Sequence, residues 1–84
     1  MLFRSAIGWW LLAQAYDSQN HPGLARLATA EQKFYLGQAT DARVFALRAR
    51  DLLKKDSPEW RRATDIILSS KPTADDLRAM ARQG

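Results

Sequence analysis

Apolar positions along this chain recur at the helical period and are broken by short polar turns. Trp9, Leu12, Ala13 and Tyr16 fall at i, i+3, i+4 and i+7, one face of a helix predicted from about Ala6 to Ser18. Asn20 suits a left-handed C-terminal residue and Pro22 the first position of the next helix. That second helix is expected from about Pro22 to Leu36, with Leu24, Leu27, Ala28, Glu31, Phe34 and Tyr35 on its inner side and Gly37 ending it.

A third helix, from about Thr40 to Lys54, carries Ala42, Phe45, Ala46, Ala49, Leu52 and Leu53 in helical phase. Val44 and Leu47 add a second stripe, the pattern of a helix sandwiched between neighbours. Ser57-Pro58 pairs an N-cap with a first-turn proline and opens a fourth helix, from about Pro58 to Ser69. Thr73 caps a fifth, with Asp76 three residues on, from about Ala74 to Ala81. No segment alternates like a strand. The pattern predicts an all-α fold of antiparallel helical hairpins, about five helices in all. Its expected core is Trp9, Leu12, Tyr16, Leu24, Ala28, Phe45, Ala46, Ala49, Leu53, Trp60, Ala63 and Ile67.

With 84 residues, the chain has room for one small core. It contains no cysteine and one histidine, which excludes a disulfide framework, a zinc finger and a multi-histidine metal site. Composition therefore points to no catalytic chemistry and no cofactor. The net charge is +4, and the excess lies between Arg43 and Arg62. Arg43, Arg50, Lys54, Lys55, Arg61 and Arg62 form a candidate basic patch, to be weighed against an ordinary solvated helix face.

Two readings concern the N-terminus. Residues 1–5 lack the capping logic a helix start needs and read as a non-native or frayed segment, with the protein proper an internal fragment beginning near Ala6. Residues 6–70 then form the helical hairpins, and residues 71–84 a short terminal helix and tail. Alternatively Arg4, the apolar run from Ile7 to Leu12, and Ala13-Gln14-Ala15 compose a signal peptide cleaved after Ala15. The helical phase running through that cut opposes this. The run is also far shorter than the roughly 20 residues of a membrane span.

Among single residues, His21 reads as a turn or capping residue, because a general base needs partners within reach. Glu31 and Asp51 lie on separate helices with no cleft signature for a paired-carboxylate site. Trp9 and Trp60 are in phase with the core. Trp10 faces about 100° away from Trp9. With Gln14 and Asp17 it forms a candidate partner-binding face, or else a surface that covers a neighbouring repeat.

Ala25-Arg26 and Ala42-Arg43 stand seventeen residues apart, half the period of about 34 of tetratricopeptide (TPR) repeats. Trp9, Leu12, Ala13, Tyr16 and Ala25 resemble the tryptophan, leucine, small residue, tyrosine and second-helix alanine of one such repeat. Thr29, Gln32 and Lys33 depart from the pattern. The order that ends in Leu52-Leu53-Lys54-Lys55-Asp56-Ser57-Pro58-Glu59-Trp60-Arg61-Arg62-Ala63-Thr64-Asp65-Ile66 resembles the C-terminal TPR arm of bacterial HExxH zinc metallopeptidases. These are the BepA-like and HtpX-related enzymes of peptidase family M forty-eight. The resemblance spans about Ala6 to Leu68. It implies a periplasmic, non-catalytic docking arm of an enzyme that acts in envelope protein quality control, with zinc held by a catalytic domain upstream. The family's HExxH ligands have no counterpart here.

The expected function is thus a protein-interaction scaffold without its own metal or cofactor. Its partners would be a protein or peptide, or the flanking repeats and protease domain of the parent. Self-association through exposed apolar faces is a further expectation. The alternatives are a small basic nucleic-acid-binding module and a small secreted helical protein.

Overall fold

The computed structural model describes residues 6–83; the readings placed on residues 1–5 lie outside them. The chain is all-α, with α1 Ala6–Ser18, α2 Pro22–Tyr35, α3 Ala39–Leu52, α4 Pro58–Ser69 and α5 Ala74–Gln83. Each connection ends its helix by a specific device. Asn20 adopts φ +62°, while its N–H donates to the carbonyl of Asp17 and that of His21 donates to Tyr16 at 2.8 Å. This is the paired closure of a Schellman turn. Gly37, at φ +77°, repeats it, with Gly37 N–H on Phe34 and Gln38 N–H on Lys33.

The two later starts are capped as the residue types require. Ser57 Oγ accepts from the Trp60 N–H at 3.2 Å. Thr73 Oγ1 accepts from the Asp76 N–H at 3.2 Å, and the Asp76 carboxylate accepts from the Thr73 N–H at 2.9 Å. That is a reciprocal capping box. His21 precedes α2 but makes no side-chain cap, and Pro22 presets the first turn instead.

The helices α2 and α3 form the central pair. α1 packs on α2, α4 on both α3 and α2, and α5 on α3. Ala30, Ala42, Ala46, Ala49 and Ala63 are fully buried, as are Ile66 and Ile67. Small side chains let helix backbones approach closely and are then covered completely. The larger members of the expected core lie at the margins of these contacts. Trp9, Leu12, Tyr16, Leu24, Phe45, Leu53 and Trp60 are only partly buried.

Three inner-face expectations are corrected. Tyr35 is 60% exposed, Leu52 54% and Val44 41%. Tyr35 and Leu52 are the last residues of their helices. Val44 lies outside the stripe that α3 presents to α2 and α4. In α5, Met80 packs on the core but Leu77 is exposed.

Candidate partner-binding groove

The helix α1 carries no charged side chain from Ala6 to Tyr16. Its Trp9–Leu12–Tyr16 stripe lies beside α2 and the start of α4. Two adjoining recesses open there. One, of about 120 Å³, is lined by Trp9, Leu12, Tyr16, Leu24, Leu27, Ala28, Glu31 and Glu59. The other, of about 390 Å³, is lined by Trp9, Glu31, Phe34, Tyr35 and Arg62. Trp9 and Glu31 border both, so the two form one groove, with α1 and α4 as walls and α2 as floor.

The charges in this groove are unevenly satisfied. Arg62 Nε donates to Glu31 Oε2 at 2.9 Å and Nη2 to Oε1 at 2.5 Å. The guanidinium also stands 6.0 Å from the centre of the Phe34 ring. Its hydrogen bond to Glu31 holds the Arg62 guanidinium above its usual range against the opposing effect of burial. Glu59, in the first turn of α4, has a buried Oε2 with no hydrogen-bond partner. A carboxylate at a helix N-terminus is favoured by the helix dipole, which accounts for its tolerance there but supplies no donor to that oxygen. Glu59 also lines a third cavity, of about 290 Å³, between the α1–α2 turn and the α3–α4 connection.

The structure takes the sequence's basic patch apart. Arg43 Nε pairs with Asp76 at 2.9 Å, and its Nη1 donates to the carbonyls of Ser70 and Lys71. Arg50 is 5% exposed and lies 4.2 Å over the Trp60 ring, so burial pushes its guanidinium below the usual range. Arg62 belongs to the groove. Lys54, Lys55 and Arg61 are exposed. Arg43, Arg50 and Arg62 therefore serve contacts within the fold.

Trp10, Gln14 and Asp17 sit on the other flank of α1. Trp10 is 49% exposed, and Gln14 and Asp17 border a depression of about 140 Å³ with Ala13, Ala25, Arg26 and Thr29. The larger apolar recess lies with the stripe that the sequence assigned to the core. Glu31 and Asp51 are not brought together as a pair: Glu31 faces Arg62 and Asp51 is exposed on α3. His21 is exposed beside Pro22.

Sequence reading placed Glu31 on the inner side of α2 but singled out neither Glu31 nor Glu59 as a groove residue. The signal was present for Glu31, an acid in phase with Leu24, Leu27 and Ala28. A charge on an apolar stripe demands an opposite charge from a neighbouring helix. Among the described residues, no group of three or more His, Cys, Asp or Glu side chains converges. None of the described helices is long and apolar enough to cross a membrane. Compared with models of protein families, with curated proteins and with solved structures, the chain matches none.

Proposed function

We propose that this chain is a non-catalytic protein-interaction module whose groove takes an apolar segment of a partner. The observation that carries the reading is the recess walled by Trp9, Leu12 and Tyr16, which leaves large side chains only partly covered. Grooves of this kind accept an amphipathic helix through a few apolar anchors. The test is site-specific photocrosslinking in the native host, with the reactive side chain placed at Leu12, at Trp10 or at Arg78. Adducts at Leu12 and none at Arg78 are expected. Adducts only at Trp10 would move the partner to the other flank of α1, and none at either α1 position would end the interaction reading.

On the same reading, the run from Leu52 to Ile66 and the TPR-phased residues of α1 and α2 support a more specific role. The module is the TPR-like arm of a periplasmic zinc metallopeptidase. It positions the protease against its substrates in envelope quality control, and flanking repeats or the protease domain cover its open faces. The genomic frame upstream of Ala6 tests this role. An HExxH-encoding segment continuous with that frame is expected, and a frame without one would remove the metallopeptidase parent.

A further inference from the structure

We infer that the segment held in the groove carries one cationic side chain, which meets Glu59. This rests on the interaction reading above and adds the chemistry of the partner. Two carboxylates line the groove. Glu31 already accepts two hydrogen bonds from Arg62. Glu59 Oε2 is buried and accepts none, and the residue lines the recess with Leu24, Leu27, Leu12 and Tyr16.

A buried acceptor without a donor is unfavourable, and a charged acceptor more so. A carboxylate can only accept, so its complement is a donor, and the strongest donors are ammonium and guanidinium groups. With the Glu31–Arg62 pair self-neutralised, the groove's remaining charge is negative, on a chain whose net charge is +4. The apolar walls and this single acid together describe an apolar segment with one lysine or arginine. Glu59 also borders the cavity at the α1–α2 turn, which Lys54 lines as well, so a cationic head approaches along the groove. Oε2 itself is covered, while Glu59 as a residue is only partly buried.

The probes are 2-phenylethylammonium and its neutral counterpart 2-phenylethanol, titrated into the full chain and followed by amide NMR shifts. Shifts at Leu12, Tyr16, Leu24 and Leu27 are expected, with the ammonium bound about tenfold more tightly than the alcohol, as a charged hydrogen bond provides. In Glu59→Gln that preference should vanish while the alcohol still binds. Equal affinity of the two probes for the unaltered chain would overturn the cationic partner and leave the apolar groove standing. An ammonium preference that survives Glu59→Gln would overturn the role of Glu59. No shift along α1 and α2 with either probe would overturn both this inference and the groove on which it rests.

Discussion

Arg62 of α4 closes a two-point ion pair on Glu31 of α2, thirty-one residues earlier in the chain. The pair is asymmetric. The Glu31 side chain is 11% exposed and that of Arg62 44%. Removing the arginine strands a buried carboxylate, whereas removing the acid leaves a guanidinium that water can reach. Arg62→Met should therefore destabilise more than Glu31→Gln. With the solvent exposure of Arg62 discounted, the loss for Arg62→Met should be about 2 kcal/mol, between the surface and buried limits for ion pairs. Urea denaturation of both variants checks the order, and a larger loss for Glu31→Gln would contradict it.

Docking of α5 should fail in acid. The carboxyl of Asp76 is held below its usual range, first by the hydrogen bond from the Thr73 backbone, then by the Thr73 hydroxyl and Arg43, with burial opposing. A carboxyl depressed in the folded state contributes stability that is fully present above its unfolded pKa, about 3.9. That stability is lost as the pH falls through the lower folded value. The Met80 methyl resonance should leave its docked position over this acid window. In Asp76→Asn the acid-dependent step should disappear.

Gly23 is required by space, and Gly37 by conformation. A Cβ at Gly23 would lie 2.9 Å from Leu53 Cδ2 and 3.2 Å from the Leu52 carbonyl carbon, a backbone atom that cannot turn aside. Gly23→Ala should cost about 1–3 kcal/mol, as overpacking does, despite alanine's better helix propensity. At Gly37 nothing lies within 4 Å of the added atom, so any loss in Gly37→Ala comes from its positive φ. Gly37→Asn should be milder than Gly37→Ala, because asparagine tolerates that region. Thermal melts of the three variants decide this.

Arg50 is a buried cation held by an aromatic ring. Its Nε and Nη1 find no acceptor while the guanidinium lies over Trp60. Methionine keeps much of the packing and removes the desolvated charge, so Arg50→Met should change stability by less than about 1 kcal/mol or raise it. A loss beyond about 3 kcal/mol in urea denaturation would mean that the stacked charge is a net source of stability.

The outer face of α1 leaves Trp10 49% and Leu11 55% exposed, on a helix without a charged side chain before Asp17. Apolar patches of this kind drive association. Sedimentation should show reversible self-association at high concentration, suppressed in Trp10→Gln and Leu11→Gln. A chain that stays monomeric at millimolar concentration would refute it.

The helix boundaries were legible because their signals are local. Asn20, Gly37, Ser57-Pro58 and the Thr73–Asp76 pair each act within a few residues, through backbone conformation or a hydrogen bond to a near neighbour. α3 begins one residue earlier than the sequence indicates and ends two residues sooner, because the Leu53 backbone turns extended at ψ 154°. That turn leads into Asp56, which takes φ +67° without a glycine to announce it.

The groove was only half legible. Trp9, Leu12 and Tyr16 stood out in the sequence as a helical stripe, but a stripe does not tell a wall from a core. That distinction depends on how closely the neighbouring helices approach. Here the alanines of α2 and α3 bring those two helices together and leave the bulky residues of α1 at a margin.

The sequence by itself determined five helices, the caps of α4 and α5 and the turns at Asn20 and Gly37, since a 3.6-residue period and a capping hydrogen bond are properties of contiguous residues. Only the tertiary structure decided which charges meet. Arg62 reaches Glu31 and Arg43 reaches Asp76 across 31 and 33 positions, and Glu59 is left without a donor. Pairings at such separations follow from the order in which helices pack, because a charge on a helix face is satisfied by whichever element that packing sets against it.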